Sequence, residues 1–303
     1  MMAVPKGGGL RGELLRDEPM SRHTSWRVGG PARSYYRPAD LDDLAVFLSG
    51  LPVEEELVWL GLGSNLLVRD GGIQGTVIAT FGVLDELSLL AERVLRAEAG
   101  VACAKVARFS ANHGLIGAEF LAGIPGSVGG ALAMNAGAFG GETWDYVRAV
   151  ETIDRTGIRR MRDPGEFQVG YRQVVGPEGE WFTAARFEFE TGNSTAALER
   201  IRALLAQRGA TQPIQQPSCG SVFRNPPGDH AARLIEACGL KGKCVGAACV
   251  SDKHANFIVN TGGACAADIE ALIGHLRDEV ARVHGVSLQT EVRIVGGTGG
   301  ADR

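Results

Sequence analysis

Three short stretches of the chain carry side chains suited to holding charge or moving a proton. Gly170-Tyr171-Arg172 ends in a guanidinium, a planar and permanently charged group matched to carboxylate and phosphate oxygens. Gly220-Ser221-Val222-Phe223-Arg224-Asn225-Pro226 sets a hydroxyl behind a glycine turn, and Glu291-Val292-Arg293 sets a carboxylate at a strand edge. Each also has a mundane account: Arg172 as a surface charge, Ser221 as a turn residue, Glu291 as a strand-edge acid. The six histidines are scattered, with no H-E-x-x-H and no close His/Asp/Glu cluster, so no metal is expected. His254, in Ser251-Asp252-Lys253-His254-Ala255-Asn256, reads as a structural hydrogen-bonding residue.

Two glycine loops accompany these groups. Gly61-Leu62-Gly63-Ser64-Asn65-Leu66 follows a strand pattern. The dinucleotide fingerprint needs a third glycine opening a helix, and here Leu66 begins an extended Leu66-Leu67-Val68, so a Rossmann site is not read. Its backbone N–H groups still suit phosphate oxygens, with Ser64 and Asn65 adding donors, although an ordinary tight turn explains this loop equally. The second loop runs Gly123-Ile124-Pro125-Gly126-Ser127-Val128-Gly129-Gly130, then Asn135-Ala136-Gly137-Ala138. Pro125-Gly126 makes a turn, Gly129-Gly130 removes bulk where a flat ligand could lie, and Asn135 could bond a ring edge. Close helix packing is the alternative. Two such loops, each after a strand, point to a dinucleotide spanning both. No G-x-x-x-x-G-K-[ST] occurs, which leaves P-loop chemistry unsupported.

The elements needed to position these groups read as a three-part α+β chain. Over 303 residues, 45% hydrophobic and 22% charged residues indicate globular domains rather than disorder. The 43 glycines are about twice the usual share and come in bunches. Residues 1–20 are expected to be a flexible leader. Residues 21–85 form a first unit with a helix over Leu41, Leu44, Ala45 and Leu48, capped by Asp40. Residues 86–192 form a second unit with strands at 95–99, 147–154 and 181–190. Residues 193–296 form a third unit, whose clearest helix carries Ile269, Leu272, Ile273, Leu276 and Val280 and stops at Gly285. Residues 297–303 are a tail.

Composition also bounds partners and compartment. The N-terminus has no apolar signal segment. Phe120 to Gly141 is uncharged over 22 residues, but its seven glycines mark a buried loop and helix start rather than a membrane span. The six cysteines show no C-x-x-C and read as reduced thiols of a cytoplasmic protein. A net charge of −4 argues against nucleic-acid binding. Between Arg200 and Asn260, however, eight Lys/Arg face three acids, either a solvated face or a pocket for an anionic small molecule.

In their order along the chain, these motifs resemble those of the UDP-N-acetylmuramate dehydrogenase family, also called the UDP-N-acetylenolpyruvoylglucosamine reductases. The motifs are Thr24-Ser25-Trp26-Arg27-Val28-Gly29-Gly30, the Gly61 loop, Gly123 to Gly126 with Asn135 to Ala138, Gly170-Tyr171-Arg172, Ser218 to Phe223, and Glu291 to Arg293. The resemblance covers about Ser21 to Val295. It implies two FAD-binding subdomains of the vanillyl-alcohol-oxidase type and a substrate-binding domain. It implies non-covalent FAD, NADPH as co-substrate, and reduction of UDP-N-acetylglucosamine enolpyruvate to UDP-N-acetylmuramate for peptidoglycan. By the same resemblance Arg172 and Glu291 stabilise the intermediate and Ser221 gives the proton. Tyr171, Asn225 and Arg293 bind substrate, while Gly61, Leu62, Gly63, Ser64, Asn65 and Leu66 of the first glycine loop and Gly123, Ile124, Pro125, Gly126, Ser127, Gly129, Gly130, Asn135, Gly137 and Ala138 of the second hold the cofactor. The basic 200–260 segment would face the diphosphate. A monomer is expected, free of nucleic acid and membrane.

The chain departs from the family's longer subtype in two places. Only 49 positions separate Arg172 from Ser221, too few for that subtype's inserted tyrosine loop, so the shorter subtype is expected. The longer subtype also carries a lysine upstream of the serine. Gly209 to Gly220 has none, and Lys241, Lys243 and Lys253 stay open as replacements.

Overall fold

The computed structural model describes residues 9–299. It has two compact units. The first takes Ser34–Leu62, Gly75–Ala206 and the segment ending at Arg16; the second takes Asp17–Arg33, Gly63–Gln74 and the chain from Gln207. The architecture is α+β throughout.

In the first unit, alternating apolar residues build a five-stranded antiparallel sheet. Its order is Arg159–Arg162, Val147–Asp154, Glu180–Glu188, Val94–Glu98, Leu87–Ala91. Helices α2 (Cys103–Asn112) and α3 (Val128–Met134) supply the other side of a core that includes Leu95, Val106, Leu132, Val150 and Phe187. A four-stranded sheet runs Glu13–Pro19, Pro31–Arg37, Ile73–Ala79, Leu57–Leu60, the last two parallel. Helix α1 (Leu41–Ser49), capped by Asp40, buries Leu44, Phe47 and Leu48 with Tyr36, Ile78 and Ile153. Helix α4 (Ser194–Thr211) starts on an Asn193 cap and adds Ala197 and Ile201 to the larger core.

The second unit has its own core of Val222, Phe223, Leu234, Ile235, Ile258, Leu272 and Leu276. Helices α5 (Ala231–Ala237) and α6 (Ala266–His284) contribute to it, and α6 ends on Gly285 at φ 67°, a left-handed stop that favours glycine. Trp26 is fully buried in this core and donates its Nε1 proton to the Ile258 carbonyl at 2.7 Å. Leu66–Val68 pairs in parallel with Arg293–Val295.

These facts revise several expectations. The leader expected over 1–20 is a strand from Glu13 to Pro19 followed by the buried Met20, and residues 1–8 lie outside the described residues. The three consecutive units become two interleaved ones, because burying Trp26 and pairing Leu66–Val68 both serve the C-terminal core. Of the expected tail, Gly297 exchanges backbone hydrogen bonds with Gly71 and Gly72, while 300–303 lie outside the described residues. The six reduced thiols become four: Cys244 and Cys249, opposite each other in the Cys244–Val245/Ala248–Val250 hairpin, are bonded. The uncharged 120–141 stretch is a 3-10 turn, α3 and two short strands, and among the described residues no helix is long and apolar enough to cross a membrane.

Buried Asp43 organises the first turn of α1 by accepting hydrogen bonds from Tyr36 Oη (2.5 Å), Ala39 N (2.9 Å) and Arg11 N (2.7 Å). Burial acts to raise its pKa, but these bonds together outweigh burial and hold it below the usual carboxylate range. A depressed folded pKa stabilises at neutral pH, and that stability is lost as pH falls through the folded value. Asp43→Asn is expected to cost about 1–3 kcal/mol at pH 7 in denaturant titrations, with the gap to the unmodified protein closing below about pH 4.

Candidate active site

In the first unit the start of the first glycine loop meets the second loop. Gly61 ends the Leu57–Leu60 strand, and a Cβ placed on it would lie 2.2 Å from Ser127 Oγ. Ser127 is held by backbone bonds around it: Cys103 N to Gly126 O, Val128 N to Val101 O and Gly129 N to Ala99 O. Its Oγ is buried with no hydrogen-bond partner in the protein. A Cβ on Gly130 would touch only Ser127 Oγ, at an ordinary contact distance of 3.8 Å. An orphaned hydroxyl beside two residues without side chains is the geometry expected where an oxygen-rich ligand supplies the missing partner. The residues therefore fit a bound cofactor. Gly123 and Gly129 have an internal explanation as well, since Cβ atoms there would strike Phe139 at 2.4 Å and Ala99 at 2.9 Å. Ile124 is buried and Pro125 exposed.

Arg172 belongs to the same unit, at the tip of the Gln168–Gly170/Gln173–Val175 hairpin. Its backbone is left-handed, φ 54°. Nη1 donates to Asn135 O at 3.2 Å and Nη2 to Gly137 O at 2.8 Å, and the guanidinium carbon sits 5.1 Å from the centroid of the Tyr171 ring. A planar cation is thus fixed by two carbonyls and an aromatic face. Tyr171 itself is exposed. Asn135, expected to bond a ring edge, instead spends its side chain inside the protein. Nδ2 donates to Glu142 Oε2 (2.8 Å) and Gly170 O (3.2 Å), and Oδ1 accepts from Trp144 N (3.1 Å).

In the second unit, Ser221 follows Gly220, whose φ is 69°. The hydroxyl residue leads into a backbone ladder: Val222 N donates to Asn256 O (2.9 Å), and Glu291 N donates to Val222 O (2.8 Å). Phe223 bridges Thr290 antiparallel. Ser221 and Glu291, 70 positions apart in sequence, are therefore linked through one residue, Val222. Asn256 clasps the next peptide from both ends, accepting from Phe223 N at 3.0 Å and donating to Phe223 O at 2.8 Å. Sequence reasoning passed over Asn256, because an asparagine before a strand carries no signal of such a contact; Glu142 escaped for the same reason.

Other expected residues have structural engagements. Asn65 donates Nδ2 to Glu291 O at 3.0 Å, so one of the donors assigned to phosphate ties the Glu291 strand instead. Asn225 Oδ1 accepts from Ala231 N at the start of α5. Arg293 is exposed, its N–H bonded to Asn65 O. Gly63, Ser64 and Leu66 belong with the second unit, where Ser25 N donates to Gly63 O. Lys241 pairs with Glu236, and Lys253 Nζ donates to Gly209 O, so both have local partners. His254 stacks edge-on against Phe257, and burial pushes its pKa down, in keeping with a structural role. Cys219, two residues before Ser221, is buried, which pushes its thiol up to about 12 and keeps it from acting as a nucleophile. Among the described residues no cluster of His, Cys, Asp and Glu could hold a metal ion.

Comparison with known proteins fits this division of labour. Residues 33–161 match the model of an FAD binding domain, and residues 212–295 match the C-terminal domain of UDP-N-acetylenolpyruvoylglucosamine reductase. The chain is 65% identical over 285 residues to the UDP-N-acetylenolpyruvoylglucosamine reductase of Alkalilimnicola ehrlichii, covering 94% of this chain and 95% of that protein. It is 64% identical to the same-named protein of Methylococcus capsulatus, covering 94% of each. Among solved structures, a UDP-N-acetylenolpyruvylglucosamine reductase from Thermus caldophilus superposes with a TM-score of 0.81 at 34% identity, over 94% of this chain and 98% of that one. With a flavin-domain match, a reductase C-terminal match and identity sustained over nearly the whole length, the chain belongs to the UDP-N-acetylenolpyruvoylglucosamine reductase family.

Proposed function

We propose that the protein reduces UDP-N-acetylglucosamine enolpyruvate to UDP-N-acetylmuramate, a peptidoglycan precursor, with NADPH as reductant. FAD, when bound, supplies the two-electron chemistry that links NADPH to the enolpyruvyl double bond. The observation that carries the reading is the guanidinium of Arg172, fixed by two carbonyls in the unit that also holds the Gly61–Ser127 cradle. In this reading Ser127 Oγ, Gly61 and Gly130 receive the cofactor, and the other glycine-loop residues of the first unit, Asn135 excepted, border it.

The residues divide the chemistry between them. Hydride arriving at the enolpyruvyl methylene breaks the carbon–carbon π bond and leaves an electron pair on the adjacent carbon, delocalised into the carboxylate. Arg172 opposes that developing charge with a cation that never loses its proton. Ser221 delivers a proton to the carbon, completing the lactyl ether. A serine hydroxyl is a weak acid, so it works only where it is held at short range and assisted. The ladder through Val222 ties the residue after Ser221 to the Glu291 backbone, and in this reading the Glu291 carboxylate orients the hydroxyl or a water. Tyr171, Asn225 and Arg293 border the substrate, and the basic 200–260 segment receives its diphosphate. The protein belongs, in this reading, to the shorter subtype and works as a cytoplasmic monomer, without nucleic acid or membrane, serving wall synthesis and so cell shape and division.

Stopped-flow measurement of the two half-reactions tests these roles. Ser221→Ala is expected to slow reoxidation of the flavin by the enolpyruvyl substrate by roughly 10²–10⁴ while leaving its reduction by NADPH near normal. Equal loss in both steps would remove Ser221 as proton donor. Arg172→Ala is expected to cost on the order of 3 kcal/mol in the second step alone, and near-normal turnover would take Arg172 off the catalytic list. Ser127→Ala removes a hydroxyl that is unsatisfied in the flavin-free protein. It should leave flavin-free stability unchanged or higher and weaken FAD binding by about 1–2 kcal/mol in a fluorescence titration. A variant that binds FAD normally would show that the hydroxyl does not meet the cofactor.

A further inference from the structure

We infer that Asn135 is a positioning residue for Arg172, acting on the hairpin that carries the guanidinium and not on the cofactor. The inference rests on the catalytic reading of Arg172 given above. Asn135 terminates α3 in a left-handed conformation, φ 46°, and is only 2% exposed. From that one position it grips the hairpin tip twice. Its carbonyl accepts from Arg172 Nη1 at 3.2 Å, and its Nδ2 donates to Gly170 O at 3.2 Å, two residues before Arg172 in the chain. The second Nδ2 proton goes to Glu142 Oε2 at 2.8 Å, and Oδ1 accepts from Trp144 N at 3.1 Å. Both donors and the acceptor of the amide are thus engaged, leaving no N–H for a flavin ring.

The surrounding residues make the grip rigid. Trp144 is anchored by its Nε1 proton on Leu132 O, one turn back in α3, and packs against Phe167 at the base of the hairpin with ring centroids 4.9 Å apart. Gly137 supplies the second carbonyl for Arg172 at 2.8 Å. A Cβ on Gly137 would meet Gly141 O at 2.6 Å, Glu142 Cγ at 3.1 Å and Arg172 Nη1 at 3.2 Å, so a side chain there would clash with the Gly141 backbone and press on the guanidinium's seat. The chain from Asn135 to Trp144 therefore forms a socket whose shape is set by Asn135 and whose content is the Arg172 side chain. Displacing a charged group by about 1 Å from its productive position costs on the order of 10²-fold in rate, which gives a positioning residue its leverage.

Asn135→Gly is the decisive variant, because glycine keeps the left-handed helix end and the backbone carbonyl while deleting the side-chain grip. Three measurements apply to it. In stopped flow, flavin reduction by NADPH should stay within about twofold and reoxidation by UDP-N-acetylglucosamine enolpyruvate should fall about 10²-fold. In Arg172→Ala protein, adding Asn135→Gly should slow reoxidation no further, since the group being positioned is gone. Hydrogen exchange followed by mass spectrometry on the flavin-free protein should show faster exchange across Gln168–Val175, with α3 unchanged. Equal losses in both half-reactions, additive losses in the double variant, or unaltered exchange of the hairpin would each overturn the inference. Normal reoxidation in Arg172→Ala alone would instead overturn the catalytic reading of Arg172, and the hairpin exchange would still decide whether Asn135 holds it.

Discussion

The proposed cofactor bed depends on one steric constraint, the near-contact of Gly61 with Ser127. With no side chain at 61, the end of the Leu57–Leu60 strand comes so close to the turn before α3 that any Cβ would overlap the serine hydroxyl. That approach brings Gly61 against Ser127, a residue more than 60 positions away in sequence. It also strands the hydroxyl in a buried place without a protein partner. Leaving a buried hydroxyl unpaired costs about 1–3 kcal/mol, a penalty a fold tolerates where something else completes the bond. The same few atoms therefore explain why the glycine is required and why the site expects an oxygen-rich ligand.

On the proposed reading, the second unit solves a different problem, that of holding a weak acid still. Ser221 lies on no long helix or strand; it enters a two-rung backbone ladder shared with Asn256 and Glu291. Asn256 imitates a strand neighbour by pairing both ends of its amide with the Phe223 peptide. The adjacent thiol is kept out of the chemistry by burial, its Sγ donating to the Leu66 carbonyl at 3.5 Å. A hydroxyl with a pKa far above neutral gains from position what it lacks in acidity.

Much of this was legible in the sequence, though unevenly. The helices showed in their apolar period, and Asp40, Asn193, Gly239 and Gly285 act at helix ends where their types predict. The two glycine loops were legible as a joint feature because glycine excess has few other causes. Interleaving of the units was not: Trp26 reads as an apolar residue near a turn, and nothing local reveals that its indole proton serves Ile258, 232 positions away. The role of Asn135 was misread for a related reason. An asparagine among small residues suits a ligand edge, but its amide is consumed by Glu142, Gly170 and Trp144, contacts that exist only once the hairpin has folded back onto α3. The Cys244–Cys249 pair was missed because its spacing matches no redox or metal motif and only the hairpin register brings the two together.

Backbone strain points to the same region from another direction. Among the described residues five other than glycine have positive φ, and three of them, Asn135, Phe139 and Arg172, lie in the socket of the first unit or beside it. Each such residue costs of order 1–3 kcal/mol and persists only where its surroundings over-determine it. Asn135 is over-determined by three side-chain bonds, and Arg172 by two bonds from its guanidinium to backbone carbonyls, one of them that of Asn135 itself. Each strained residue thus secures the other, Asn135 also closing α3 in the left-handed cap that asparagine favours. A lysine at 172 would keep the charge but lose the planar fork that reaches two carbonyls at once, and with it half of what keeps the hairpin tip in its left-handed turn. On the proposed reading the guanidinium is accordingly both the group that meets charge and part of the structure that aims it.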